Sequence, residues 1–361
     1  MIYDLRSVKD INVKEKTVFL RADLDVPLLN GRITDDTRLN AWFPTLEFLL
    51  KNQAFVYIAG HLGRPKKQFS ISNFQFSNAE HKFSLKPIAE WVGKRFKTYS
   101  NLRFKKFNSF DGWEINKNIS ILQNLRYFEE EEENDPEFSK KLANLAQIYV
   151  NDAFASSHRA HASIVGITKY LPSFAGLRLK KEVEELSNVL ENPKRPLTII
   201  IGGAKIETKL PLVEKMHSLA DYVLVGGEIA ENDKVLLKVA HEKIQGQKSA
   251  LLVADSTQDL KDITPKSAEN FVQISKSSNT IVWNGPMGQV EKEEYQTGTK
   301  ILAEGISKLN AYKIVGGGDT LAYLKKIDLL SEFDFVSTGG GAMLEFLSGD
   351  RLPGLVALEQ K

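Results

Sequence analysis

Ten short runs rich in β-branched and aromatic residues punctuate the chain, and nearly every one exits into Gly, Asp, Asn or Arg. In the first half they are TVFLRAD (17–23), AFVYIAG (54–60), ISILQNL (119–125) and QIYVNDA (147–153). In the second half they are LTIIIGG (197–203), DYVLVGG (221–227), SALLVAD (249–255), NTIVWNG (279–285), AYKIVGGGD (311–319) and FDFVSTGGG (333–341). Each is followed by a stretch in which apolar residues recur at helical spacing. That alternation predicts an α/β fold in which each half builds a parallel sheet flanked by helices. Open sheets of this kind bind ligands beyond the carboxyl ends of their strands, so each half presents one ligand-binding edge.

Between the halves, LRLKKEVEELSNVLENPKRP (177–196) has helical spacing and a closing Asn-Pro, which predicts a connecting helix over 177–192. The expected division is a first domain over 1–176 and a second over 193–349. The segments 68–83 and 128–138 read as loops or solvated faces, and the five-glutamate run 129–133 as wet surface. No tandem repeat is present.

Length agrees with this division: 361 residues exceed what one core of roughly 250–300 residues usually holds. The chain contains no cysteine, which excludes disulfides, thiolate metal sites and a thiol nucleophile. Its opening MIYDLRSVKD lacks the apolar stretch of a signal peptide, and no segment approaches the roughly 18 apolar residues of a membrane span. A soluble cytoplasmic protein is expected.

Charge sharpens the picture. The net charge is +2, yet residues 1–180 carry 27 Lys/Arg against 20 Asp/Glu, whereas residues 181–361 carry 21 against 26. The asymmetry favours an anionic ligand on the first half. Cations cluster at the strand exits there: His61 and Arg64 in GHLGRPK, Arg126 in NLRYF, His158, Arg159 and His161 in SSHRAHAS, and Arg38 in TDDTR. The guanidinium fork matches two oxygens of phosphate or carboxylate, so four such arginines can surround a small polyanion. An isolated arginine usually just pairs with a surface acid, and only the joint pattern points to a site. Asn151, Asp152 and His161 fit a structural hydrogen bond as well as a substrate contact. Asp23 and Asp25 lie two apart, on one face if the strand persists that far; they suit an acid–base dyad, a metal site or acceptors for substrate hydroxyls, and spacing does not choose.

The second half offers glycine. GGAKIETK places Gly203 before Lys205 and Lys209 at an expected helix N-terminus, where free N–H groups and the helix dipole favour phosphate. The spacing is not that of a P-loop. GGGDT supplies Gly316, Gly317 and Gly318, then Asp319 as a candidate Mg²⁺ ligand and Thr320 at a helix start. STGGGAMLEF repeats the arrangement one strand later, and two such triplets on one edge suggest a polyphosphate cradle. IVWNGPMGQVE adds Asn284 and Glu291, a carboxylate in such a loop being able to hold a ribose hydroxyl, while Trp283 reads as core.

Taken in order, RADLDVPLLNGRITDDTR, GHLGRPK, LQNLRYFEEEEENDPEF, YVNDAFASSHRAHAS, GGAKIETK, IVWNGPMG, GGGDT, STGGGAMLEFLSG and LPG resemble the phosphoglycerate kinases over almost the whole chain. The resemblance implies two Rossmann-like domains joined by a helix and hinge, with a C-terminal tail of about 350–361 returning to the first. It implies reversible, Mg²⁺-dependent phosphoryl transfer between 1,3-bisphosphoglycerate and ADP, giving 3-phosphoglycerate and ATP, by a protein that is usually monomeric. By the same resemblance Asp23, Asp25, Arg38, His61, Arg64, Arg126 and Arg159 would hold 3-phosphoglycerate. Gly203, Lys205, Lys209, Asn284, Glu291, Gly316, Gly317, Gly318, Asp319 and Thr320 would hold the nucleotide, with Asp319 on the metal. Arg38, Lys205, Lys209 and Gly318 would carry the transfer.

The chain departs from the family pattern in two places. Asp25 stands where the family has Asn, so substrate should meet a second carboxylate and bind more weakly than to an Asp25→Asn variant. After Gly227, Glu228 replaces a third glycine, the following insertion is shorter, and Thr264 replaces a glycine before Pro265. These elements line the family's adenine pocket, so a relaxed base preference is expected. Two readings compete: a phosphoglycerate kinase-like anion-binding protein without turnover, and single-stranded nucleic acid binding through KRFKTYSNLRFKKF (94–107). The near-neutral overall charge speaks against the second, and no nucleic-acid or membrane partner is expected.

Overall fold

The computed structural model describes residues 3–65, 82–97, 102–204, 206–231 and 249–359, with backbone alone at 206–208 and 231. The chain forms two compact units, Ile2–Val183 with Leu352–Lys361, and Glu184–Arg351. The division falls inside the helix Leu177–Glu191. No described helix is long and apolar enough to cross a membrane.

In the first unit the strands are β1 (Thr17–Ala22), a small hairpin of β2 (Leu28–Leu29) and β3 (Arg32–Ile33), β4 (Phe55–Ala59), β5 (Arg103–Phe107), β6 (Phe110–Asn116), β7 (Ile119–Leu122), β8 (Ile148–Asp152) and β9 (Ser173–Ala175). The main sheet runs β5-β6-β7-β4-β1-β8-β9. β1 sits centrally, parallel to β4 and β8, with Arg21 opposite Ala59 on one side and Asn151 on the other. The exits of these three strands therefore open at the same level of one edge. Burial on both faces explains why they read as continuous apolar runs. Leu20, Ile58 and Val150 are completely buried with Trp42 and Leu46 of the helix Thr37–Lys51. Each such side chain contributes roughly 1.5–3 kcal/mol of apolar burial.

The second unit is simpler: β10 (Leu197–Ile201), β11 (Tyr222–Val225), β12 (Ala250–Val253), β13 (Thr280–Asn284), β14 (Tyr312–Gly316) and β15 (Phe335–Val336) form one sheet in the order β12-β11-β10-β13-β14-β15. All its pairings are parallel. Ile201 lies opposite Asn284, and Asn284 opposite Gly316, so the glycine-rich exits meet on one edge. Trp283 is core as expected, wholly buried beside Phe333 with its Nε1 donating to the Gly285 carbonyl (2.8 Å).

Two expectations need correction. The first sheet is not purely parallel, because β6 runs antiparallel to both β5 and β7. The β5–β6 turn uses Asn108 in the left-handed region (φ 51°), which short-polar Asn tolerates. β5, RFKKF, shows no apolar alternation: four of its five residues are exposed, and Phe104 is half-exposed with its ring 5.2 Å from that of Trp113. The glutamate run is not all wet surface either. Residues Glu129–Glu132 form a short helix in which Glu131 is only 1% exposed. Of the two segments read as loops, residues 68–81 lie outside the described residues, and 128–138 also starts the helix Pro136–Ala143, capped by Asp135 accepting from the Phe138 N–H (2.7 Å).

Candidate active site

The strand exits of the first unit are built as a basin of positive charge. His61 follows β4, and its turn passes through Gly63 at φ 61°, where a side chain would strike the Phe83 ring at 2.5 Å. Asn124, fully buried, holds that turn to the next exit: its Oδ1 accepts from the Leu62 (3.3 Å) and Arg126 (3.1 Å) N–H groups, and its Nδ2 donates to the carbonyls of Leu62 (2.7 Å) and Phe83 (3.0 Å). Arg126 Nη1 donates to the Gly63 carbonyl (3.4 Å), and its Nε lies 3.5 Å from the Glu132 carboxylate.

Asp25 fixes the opposite wall. Its carboxylate accepts from the Gly63 N–H (2.8 Å) and lies 3.9 Å from both Arg38 Nη1 and His61 Nε2. Arg38 also donates to the Asp25 carbonyl. Arg38 stands in the first turn of the helix Thr37–Lys51, whose start is tied by Asp35 accepting from the Thr37 N–H (3.0 Å). Asp23 is buried, its carboxylate accepting from the Ala155 N–H (2.9 Å) and Ser156 Oγ (3.3 Å). Burial raises its pKa, opposed by the nearby Arg38. Arg64 is exposed, and half-buried Arg159 donates from Nε to His158 Nε2 (3.1 Å).

Burial and the surrounding guanidinium groups both disfavour a charged imidazole here. Burial, then Arg21, Arg126 and Arg159, hold His61 far below the usual histidine range. Burial and Arg126 push His161 down to about 3, and burial with Arg159 pushes His158 to about 4. Arg126 itself falls to about 10, by burial and then Arg159. The basin is thus arranged for an anion of several charges. Asn151 and Asp152 serve the scaffold: Asn151 accepts from the Ala153 N–H (3.0 Å), and Asp152 accepts from the Leu179 N–H (2.9 Å). Burial lifts Asp152 to about 7.

In the second unit the glycine exits line a cavity of about 570 Å³. Its lining includes Gly203, Lys209, Asn284, Gly317, Gly318, Asp319 and Thr320. Lys209, in the helix Ile206–Leu219, is buried; its Nζ donates to the Gly202 carbonyl and to the carbonyl and Oδ1 of Asn284 (3.2 Å each). Burial lowers its pKa to about 8, against the pull of Asp319. Buried Thr320 accepts from the Gly285 N–H (3.1 Å). Gly317 takes φ 94° before the helix Gly318–Lys326, and a side chain on Gly340 would come within 3.3 Å of the Gly317 Cα. At Gly316 the obstacle is Met343 Sδ, 2.3 Å from an added Cβ. Gly318, by contrast, has open space before it.

Glu291 is exposed and is not among the residues lining that cavity. Lys205 lies outside the described residues. Among the described residues no three His, Asp or Glu side chains cluster as a metal cage. A lone exposed carboxylate such as Asp319 fits Mg²⁺ that arrives on a nucleotide, because phosphates and waters then complete the shell. The sequence reading missed Arg21, Asn124, Glu131 and Ser163. A cation inside an apolar run was the available signal for Arg21; Glu131 and Ser163 gave none, and Asn124, apart from its local bond to the Arg126 N–H, finds its partners at Leu62 and Phe83, far back in the chain.

Fold and site together define an α/β protein with crowded guanidinium groups at the strand exits of one unit and a glycine-lined cavity holding a buried lysine in the other. The family model for phosphoglycerate kinase matches residues 8–250 and 231–350. The phosphoglycerate kinase of Dictyoglomus turgidum is 38% identical over 409 residues, covering 100% of this chain and 99% of that protein. That of Pseudothermotoga lettingae is 37% identical over 405 residues, covering 98% of each. The solved structure of phosphoglycerate kinase from Coxiella burnetii has a TM-score of 0.79 at 32% identity, covering 98% of this chain and 99% of that one. The chain belongs to the phosphoglycerate kinase family.

The buried imidazoles make one expectation for the free protein. Their depressed pKa values mean that the unfolded chain binds protons first. Taken alone, the imidazoles cost stability as pH drops below about 6.5, while Asp152, lifted by burial to about 7, takes up its proton in the folded state over the same range and offsets part of that loss. Histidine NMR resonances of residues 158 and 161 should stay in the neutral form from pH 8 down to pH 5; midpoints near 6.5 would contradict the burial and charge described above.

Proposed function

We propose that this chain catalyses reversible transfer of a phosphoryl group between 1,3-bisphosphoglycerate and ADP, giving 3-phosphoglycerate and ATP, as a monomeric cytoplasmic glycolytic enzyme. The observation that carries the reading is the pair of unlike half-sites: crowded guanidinium groups on one sheet edge, a side-chain-free seat with a buried lysine on the other. Family membership supports the same reaction.

In this reading Asp23, Asp25, Arg38, His61, Arg64, Arg126 and Arg159 bind the phosphoglycerate. The charge of the four arginines suits its phosphate and carboxylate. Gly203, Lys209, Asn284, Gly316 to Gly318, Asp319 and Thr320 bind the nucleotide, joined by Lys205 and Glu291 on the strength of the resemblance alone. Phosphoryl transfer asks for little covalent chemistry from a protein and depends on alignment and charge neutralisation. Arg38 would hold the acceptor carboxyl and meet charge developing on the phosphoryl oxygens, Lys205 and Lys209 would meet that charge from the nucleotide side, and Gly318 would offer its backbone N–H at the helix start. Asp319 would hold Mg²⁺, which neutralises the nucleotide phosphates. No covalent enzyme intermediate is required. Transfer needs both half-sites on one phosphoryl group, and the helix Leu177–Glu191 is the segment on which hinge motion would depend.

A coupled assay following ATP formation from ADP and 1,3-bisphosphoglycerate tests the reading. Turnover should be present and fall about 10²–10³-fold in Arg38→Ala, the scale for losing one charge-stabilising donor. Binding of 3-phosphoglycerate without turnover would favour the non-catalytic alternative. At the Asp25 departure, Asp25→Asn keeps an acceptor for the Gly63 N–H while removing a charge, so KM for 3-phosphoglycerate should drop by about three- to tenfold. An unchanged KM would show that Arg38 already cancels that carboxylate. The shortened segment expected to relax base choice falls mostly on 232–248, outside the described residues. On that expectation kcat/KM for GDP stays within about tenfold of that for ADP, a gap of no more than about 1.4 kcal/mol. A strict preference for ADP in the same assay would refute it.

A further inference from the structure

Behind the basin wall lies a chain of buried polar groups that the reaction scheme does not use. Arg21 is 1% exposed, Glu131 1% and Ser163 0%. Both carboxylate oxygens of Glu131 are engaged by Ser163, one by its N–H (2.9 Å) and the other by its hydroxyl. With its proton committed to Glu131, the Ser163 hydroxyl has lone pairs left to accept from Arg21 Nε (2.8 Å). Ser163 cannot drift, because its carbonyl accepts from the Tyr149 hydroxyl (2.7 Å). Arg21 Nη1 donates to the Ala22 carbonyl (2.8 Å), which leaves Nη2 aimed at His61 Nδ1, 3.3 Å away.

The chemistry of these last two groups is one-sided. A guanidinium has five donors and no acceptor, so the nitrogen facing it must offer a lone pair. In a neutral imidazole the proton then sits on the other nitrogen. His61 Nε2 is the atom on the Asp25 side of the ring, facing the basin.

We propose that Arg21, seated on the Glu131–Ser163 pair, is a positioning residue that fixes His61 in the tautomer protonated at Nε2. A neutral His61 thereby presents an N–H donor to the substrate. The inference deepens the reading of His61 as a 3-phosphoglycerate-binding residue and rests on it. It assigns a role to a glutamate inside an otherwise solvent-facing acidic run and to an arginine that no solvent or substrate reaches. Burial of all three groups at once would be a poor arrangement for stability alone, since replacing a buried polar network with apolar groups is often neutral or favourable.

The test is a two-bond proton–nitrogen correlation spectrum of the full-length protein labelled with ¹⁵N histidine, combined with steady-state kinetics. In the parent protein His61 should show the Nε2–H pattern. Arg21→Gln, whose amide can donate or accept, should give mixed tautomers and raise KM for 3-phosphoglycerate about tenfold while kcat stays within about threefold. Arg21→Lys, a donor only, should restore the single tautomer and part of the KM. Ser163→Ala, which removes the seat and keeps the guanidinium, should move both readouts in the direction of Arg21→Gln by a smaller amount. An Nδ1–H pattern in the parent overturns the inference without any variant. So does a risen KM in Arg21→Gln with the tautomer unchanged, because loss of charge would then explain it. Titration of the parent with 3-phosphoglycerate reports separately on the functional reading, which fails if no His61 resonance moves.

Discussion

Mutual repulsion among arginines that cannot give up their protons is the constraint around which the first unit is arranged. Arg21, Arg126 and Arg159 all act on the same imidazoles. Nothing in water would gather them, and the fold does so because the parallel strands β1, β7 and β8, with β4 between β1 and β7, deliver their exits to one edge. The consequences propagate outward. Burial, reinforced by these cations, holds three histidines neutral and costs Arg126 part of its affinity for its proton, and acidic groups stand nearby, Glu132 beside Arg126, Asp25 beside Arg38 and Glu131 behind Ser163. None of these acids fully cancels the cations, which is what a site for a highly charged anion requires.

The second unit solves the complementary problem by subtraction. Its cavity floor is made largely of backbone, and glycine is required where chains approach closely or φ turns positive, as at Gly316 and Gly317. Lys209 is the one buried cation of this cavity among the described residues, and it is tethered to two carbonyls and the Asn284 side chain while it waits. Burial makes its proton easier to lose, and an arriving phosphate would restore it.

Much of this was legible beforehand, for identifiable reasons. Strands buried on both faces show as uninterrupted apolar runs, and in a parallel sheet the chemistry follows each run directly, so Asp23, His61, Arg126 and Arg159 stood in plain view. β5 and β9 were not seen because one is exposed along most of its length and the other is three residues long. Arg21 and Glu131 were hidden by their neighbours: an arginine in an apolar run and a glutamate in an acidic one each look like their surroundings. What reveals them is Ser163, 142 residues from Arg21 and 32 from Glu131, a distance that no local pattern spans.

The near-contact between the glycines of the β14 and β15 exits, 3.3 Å from an added Cβ on Gly340 to the Gly317 Cα, has a bearing on how such a protein can diverge. A side chain on Gly340 would need the Gly317 backbone to give by a few tenths of an ångström and one on Gly316 would strike Met343 Sδ, whereas Gly318 has room for one. Change is therefore easier at the open helix start of Gly318 than at the floor where the two strand exits press together.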